Sequence, residues 1–350
     1  MQVIRMNRRR FIQASALATS GLVTTGRWAS AQSGAVASPT GQSIVLYSGQ
    51  HEALANALGE AFTAATGIGV TVRVGEDADL VNQIIEEGDA TNADALLTEE
   101  PGPAAALDAQ GLLAPVDPAA LAQVDERFVP STGNWLPYAA RSRVIYFNPN
   151  SIEESALPAS VLDLVNDEWK GRFAYAPSGA FTSTVVYLVN TIGEDDTLAW
   201  LKGIQKNGEN LVKNGAIRDA VEAGQIPFGL SNHYYWYILA REKGGAGELQ
   251  SRVHWVKGQD PGGLIFASAV GIPTASKQPE LAAQFVAWMG NPAGGQAIIA
   301  ANTPQYPLAP GVESSYDLPP LNELDPPVFD QGSLKDPSKA AELIIEAGII

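Results

Sequence analysis

The chain has 350 residues, no cysteine and a formal net charge of −16. The missing thiols exclude disulfides, thiolate metal sites and lipid attachment through cysteine, and they leave any metal to oxygen and imidazole donors, which favours hard cations. The acidic balance argues against nucleic acid and anionic membrane surfaces as partners.

At the N-terminus, Asn7-Arg8-Arg9-Arg10-Phe11-Ile12 forms a twin-arginine pattern. A weakly apolar stretch from Ala14 to Val23 follows, and Ala29-Ser30-Ala31 offers a small-residue cleavage site. Residues 1–31 therefore read as a twin-arginine export signal, since the stretch is too short and too mild to span a bilayer. Residues 32–42 read as a flexible lead-in. The signal carries five arginines and no acid, so residues 32–350 hold −21. That length suits two domains. No second long apolar run follows, and no stable membrane insertion is expected.

The mature part alternates strand and helix. A strand at 44–47 precedes an amphipathic helix at 52–66, with Leu54, Leu58 and Phe62 on one face and Gly67 closing it. A strand at 70–74, a helix marked by Leu80, Ile84 and Ile85, and a strand at 93–97 complete a βαβαβ unit, which calls for a parallel sheet with right-handed crossovers. Further on, a strand is expected at 143–147 and another around Phe173. An apolar helix follows from about 181 and a second helix at 216–223. The strand at 227–230 runs into Ser231-Asn232-His233-Tyr234-Tyr235-Trp236-Tyr237. Helices at 279–289 and 338–347 close the chain. The fold class is α/β.

Polar residues gather just past three strand ends: His51 after the first, Glu99 and Glu100 after the third, Tyr234 and Tyr235 after the strand at 227–230. In open α/β sheets, ligands bind outside the carboxyl ends of the strands. A phenol is a poor functional group near neutral pH, but a highly charged hard cation strips its proton, and two neighbouring phenolates suit ferric iron. The bland alternatives are an aromatic patch at a helix start, a helix-start histidine and a solvated turn before Pro101; the joint placement argues against them. Pro177-Ser178-Gly179-Ala180-Phe181 opens the apolar helix, where free N–H groups and the helix dipole can hold a small anion. Cap residues of this type are also common without any ligand. Four protein donors on an octahedral ion leave two positions for such an anion or water.

These stretches, with Leu46-Tyr47-Ser48-Gly49-Gln50-His51, Ala93-Asp94-Ala95-Leu96-Leu97-Thr98-Glu99, Arg141-Ser142-Arg143-Val144, Ala240-Arg241-Glu242-Lys243-Gly244 and Tyr306-Pro307-Leu308, resemble a known family. It is that of the periplasmic ferric-ion-binding proteins of bacterial iron transporters, solute-binding proteins of transferrin-like two-lobed design. The resemblance runs from Ile44 to the C-terminus. It implies two lobes, each a mostly parallel sheet flanked by helices, with strands crossing at a hinge. Lobe 1 would hold 43–141 plus 267–313, and lobe 2 would hold 142–266 plus 314–350.

The resemblance also implies Fe³⁺ ligands His51, Glu99, Tyr234 and Tyr235. A synergistic anion, phosphate or carbonate, would be held by Ser178, Gly179, Ala180, Asn214 and Asn232. Tyr47, Glu100, Arg141, Arg143 and Tyr237 count as further cleft residues. Two positions depart from many relatives: Glu100 stands where they have glutamine, and His233 where they have asparagine. A second carboxylate at Glu100 would disfavour a multiply charged phosphate. The implied protein is a periplasmic monomer and not an enzyme, and it serves an ABC permease with its ATPase. Two alternatives stay open at this point. One is a solute-binding protein for thiamine, a polyamine or a phosphonate, with the tyrosines and Trp236 stacking on the ligand. The other is an exported hydrolase, for which no nucleophile turn, zinc-peptidase motif or phosphate loop is present.

Overall fold

A computed structural model describes residues 40–350; the export signal and most of the lead-in expected from the sequence lie outside the described residues. The described strands are β1 (Ser43–Ser48), β2 (Gly69–Val74), β3 (Ala95–Thr98), β4 (Trp135–Phe147), β5 (Phe173–Tyr175), β6 (Glu209–Asn210), β7 (Phe228–Asn232), β8 (Arg252–His254), β9 (Ile265–Gly271) and β10 (Tyr306–Pro307). The helices are α1 (Glu52–Thr66), α2 (Asp77–Glu87), α3 (Pro101–Ala109), α4 (Pro118–Leu121), α5 (Gly179–Ile192), α6 (Glu194–Asn207), α7 (Asn214–Glu222), α8 (Tyr234–Lys243), α9 (Pro279–Gly290), α10 (Gly295–Asn302) and α11 (Pro337–Glu346).

The expected parallel unit is present, with β2, β1 and β3 adjacent and parallel. A second parallel group joins β7, β5 and β6. Between the two groups the sheet is antiparallel: β3 pairs with β9, β9 with β4, and β4 with β7. The strand order β2-β1-β3-β9-β4-β7-β5-β6 is therefore one continuous mixed path rather than two parallel sheets. The reason is β4. Sequence patterning marked only 143–147, yet the strand starts at Trp135 and is buried along its whole length. A strand buried on both faces has no alternation to betray it.

Apolar side chains gather into two pairs of clusters on either side of this crossing. On one side, Leu46, Leu58, Phe62, Leu136 and Phe285 form a core, and Leu80, Leu96, Leu107 and Trp135 form a second under α2 and α3. On the other, Phe173, Phe181, Trp200 and Phe228 fill one core, and Ile217, Trp236 and Leu239 fill another. The C-terminal tail divides between them. Leu318, Leu321 and Leu324 pack on the first side, whereas Leu334, Leu343 and Ile349 pack on the second, so 314–350 does not pack as one piece with the second lobe. Among the described residues no helix is long and apolar enough to cross a membrane.

Candidate metal centre

Each candidate donor is set by a chain reversal at the end of a strand. His51 immediately precedes α1, where its carbonyl accepts the N–H groups of Leu54 and Ala55, at 3.0 Å each. Its own N–H donates to Gln50 Oε1 at 2.9 Å, and Gln50 is fixed in turn by Tyr138, 3.0 Å away. Glu99 sits in the turn from β3 to α3. Its carbonyl accepts Ser268 Oγ from β9 at 2.9 Å.

The organiser of this turn is Asp77. Its carboxylate accepts the N–H of Glu99 at 3.1 Å and that of Glu100 at 2.9 Å. Burial pushes its pKa up to about 7, against those N–H bonds, and the neighbouring carboxylates add to the rise. Gly49 is required for this approach, since a Cβ there would lie 1.6 Å from Asp77 Oδ1. Sequence patterning missed Asp77, because an acid in the first turn of a helix is ordinary.

Across the crossing strands, Tyr234 and Tyr235 open α8. The turn before them is held by Tyr146, whose hydroxyl donates to the Asn232 carbonyl and accepts the Trp236 N–H at 3.1 Å. His233 is fully buried. Its Nδ1 accepts the Ser142 N–H at 3.1 Å, and its Nε2 lies 2.7 Å from the Pro304 carbonyl. The ring is thus the Nε2–H tautomer, and burial lowers its pKa to about 4.

The structure brings the four candidate ligands together. Tyr234 donates its hydroxyl hydrogen to Glu99 Oε1 at 3.0 Å. His51 Nε2 lies 3.8 Å from the same oxygen. The rings of His51 and Tyr234 meet edge-on with centroids 6.0 Å apart, and Tyr234 and Tyr235 stack at 4.2 Å. Burial, then the negative charge of Glu99, holds both phenols above their ordinary pKa, Tyr234 well above it. They are therefore neutral until a cation displaces their protons. Among the described residues no three histidines or carboxylates stand close enough to hold a metal, so any metal here depends on the phenols.

Beside Tyr235, Asn214 donates to Ser178 Oγ at 3.0 Å and accepts from Ser231 Oγ at 3.4 Å. Gly179 and Ala180 form the first residues of α5. Asn232 accepts Arg143 Nη1 at 2.7 Å rather than turning to the cleft. Arg143, buried, has its pKa lowered to about 10 by desolvation and stays charged. Arg141 has no exposed side-chain surface, and its Nη2 lies 2.7 Å from Glu100 Oε1. Burial alone would lower the Arg141 pKa; the charges of Glu100 and then Glu99 raise it instead. Glu100 Oε2 also accepts Ser183 Oγ at 3.0 Å.

Three aromatics do not join the centre. Tyr47 turns its hydroxyl to Glu87, Gln83 and Arg73, within a core on the far side of β1. Tyr237 leans on the buried His233 ring and feels Asp317, away from Glu99. Both were counted as cleft residues from the sequence; Tyr47 leaves β1 on the face toward α2, opposite Leu46, and Tyr237 lies one turn farther along α8 than Tyr234. Trp236 is buried with its Nε1 bonded to Ser251 Oγ at 3.1 Å, so it offers no face for stacking a solute.

A family model for bacterial extracellular solute-binding proteins matches residues 57–324. The chain belongs to this family. This solute-binding chain is 39% identical over 318 residues to an Fe(3+)-binding periplasmic protein of Serratia marcescens, covering 91% of the chain and 94% of the relative. It is 35% identical to the major ferric iron-binding protein of Neisseria meningitidis serogroup A, covering 89% of the chain and 95% of the relative. Among solved structures, iron-bound HitA from Pseudomonas aeruginosa superimposes with a TM-score of 0.82 at 39% identity, covering 88% of this chain and 99% of that one. The chain is a binding protein and not an enzyme.

Proposed function

We propose that this chain binds ferric iron between two hinged lobes in the periplasm and delivers it to an ABC importer. The observation that carries the reading is the meeting of Tyr234, Tyr235, Glu99 and His51 from opposite sides of the crossing strands. Two phenolates and one carboxylate match the three charges of Fe³⁺, and imidazole adds a neutral donor. The remaining octahedral positions fall to water or a small anion beside Ser178 and Asn214. The similarity to ferric-binding relatives over nearly the whole chain supports the same cargo.

The lobes meet where β4 and β9 cross, near Arg141–Arg143 and Ile265–Ala267. Lobe 1 takes 43–141 plus 267–313 and lobe 2 takes 142–266, and the tail joins lobe 2 from about Leu334, as the core packing supports. Ferric iron bridging the lobes favours the closed form, because only that form presents all its donors at once. Export by the twin-arginine pattern at Arg8 and Arg9, a monomeric state, and a permease with its ATPase as partners belong to the same reading. The test is optical. Ferric iron added to the purified protein should give a visible phenolate-to-iron band, absent in Tyr234→Phe/Tyr235→Phe. A colourless protein that binds no ferric iron would refute the proposal.

A further inference from the structure

Gln305 directly precedes β10 and has no exposed surface, yet neither its Oε1 nor its Nε2 finds a hydrogen-bond partner among the described residues. A buried amide left in that state is unfavourable at both ends, because it has given up water and gained nothing. Arg141 is in the same position. It is equally unexposed, and its Nε also lacks a partner among the described residues. Its Nη1 donates to Ser268 Oγ at 3.0 Å, and its Nη2 lies 2.7 Å from Glu100 Oε1 without the alignment of a hydrogen bond.

The two residues belong to neighbouring strands. β10 runs antiparallel to β4, with Tyr306 opposite Ala140 and Pro307 opposite Ala139. One step back along this register, Gln305 falls opposite Arg141. Opposed residues share a face of the sheet, with Cβ atoms about 5 Å apart. The following step agrees: the Ser142 N–H and the Pro304 carbonyl both bond the His233 ring, which bridges them. The unpaired Nε–H of Arg141 and the unpaired amide of Gln305 therefore lie on one face, at one level of the crossing strand.

Charge decides what can join them. An arginine alone would suit an anion, but Arg141 already faces Glu100 and feels Glu99 beyond it. The group required is neutral, and it must both accept and donate. A buried water does both, and it needs roughly two to four polar partners. We propose that Arg141 and Gln305 hold a buried water behind the metal centre, with Arg141 Nε–H donating to it and Gln305 Oε1 accepting from it, and that Gln305 is thereby a positioning residue for the centre. The line of contact runs from Gln305 through the water to Arg141, from Arg141 Nη1 to Ser268 Oγ, and from that hydroxyl to the Glu99 carbonyl. The positioning role rests on the ferric reading above; the water site does not.

The first measurement is an atomic-resolution crystal structure of the iron-free native protein. It should show a water within hydrogen-bond reach of both Arg141 Nε and Gln305 Oε1. Gln305→Leu nearly keeps the volume and removes both polar atoms. It should melt below the native chain and lose about one long-lived internal water in magnetic relaxation dispersion of the solvent. Loaded with iron, it should keep the intensity of the phenolate band, shift its maximum as the guanidinium loosens, and lose iron to a chelator roughly three- to tenfold faster. A direct Gln305–Arg141 hydrogen bond in the native crystal, or no water touching both groups, overturns the proposal even if the variant does not fold. A folded variant that keeps the native water count, or is as stable as the native chain or more so, overturns it as well, since a dry unpaired amide gains from an apolar replacement. A native band maximum and native iron loss in the folded variant overturn the positioning role. No band in the native protein sinks the ferric reading instead, and the crystal then still decides the water site.

Discussion

The two walls of the candidate centre are built differently. On the first wall His51 is exposed, with 56% of its side chain open to solvent, and Glu99 is 22% open. On the second, Tyr234 is 2% exposed and stacked against Tyr235, above a turn locked by Tyr146 and His233. Buried phenols are preorganised and neutral, whereas a solvated imidazole must be immobilised when the ion arrives. The buried wall therefore supplies most of the selectivity for a hard trivalent ion, and the exposed wall supplies closure.

The sharpest way to break this contrast is to remove the buried wall's oxygens. Tyr234→Phe/Tyr235→Phe should abolish the visible band and lower ferric affinity by more than ~100-fold, since loss of a ligand exceeds loss of its supporting partners. Its apo fold should persist, because both rings remain to pack. Competition against a chelator of known affinity measures the first effect and thermal melting the second.

Proton release sharpens the same point. Both phenols sit above pH 10 in the free protein, so each must lose a proton when iron binds. Two protons released per ion predict an apparent affinity that falls about 100-fold for each unit of acidification between pH 8 and pH 6. A pH-stat titration should count them directly. A count near zero would place the metal elsewhere. The exposed wall should matter less: Glu99→Gln costs roughly 10- to 100-fold and His51→Ala roughly tenfold or less, read by the same competition and seen mainly as faster iron loss.

How much of this was legible beforehand follows from where each residue lies. The first three strands and two helices declared themselves by period and by the glycines that end the helices, and the donors by their positions just past strand ends. The crossing strand β4 did not, because burial on both faces erased its alternation. Asp77 was hidden for a different reason: its role depends on a non-local contact with a turn twenty-two residues away, and nothing in a local pattern encodes that. Tyr47 and Tyr237 were over-read because sequence proximity sets neither the sheet face that suits the cleft nor how far along a helix a phenol lies from it. Glu100 was noticed as a departure, yet only the fold shows that it spans from its own turn to Ser183 and Arg141.

The last test concerns the support of the buried wall and should have the smallest effect on iron. His233 donates through Nε2 to the Pro304 carbonyl and accepts the Ser142 N–H at Nδ1, so it ties the tyrosine turn to the crossing strand and to the 304 loop. Protonation would place a second donor against the Ser142 N–H. Its folded pKa, about 4, lies below the unfolded value near 6.5, so the folded state binds fewer protons in that interval. The stabilisation is complete above the unfolded value and is lost as pH falls toward 4, by roughly 2–3 kcal/mol over that span. Asp77 acts in the opposite sense: its folded pKa, near 7, is raised, so its contribution improves as pH falls through the same window. Urea midpoints of the apo protein from pH 7 to pH 4.5 should therefore decline more gently in the native chain than His233 alone would impose. His233→Asn should start less stable at pH 7 and become relatively more stable on acidification. Parallel midpoint curves for the two proteins would mean that His233 is not a neutral buried base, and the account of the locked wall would fail with it.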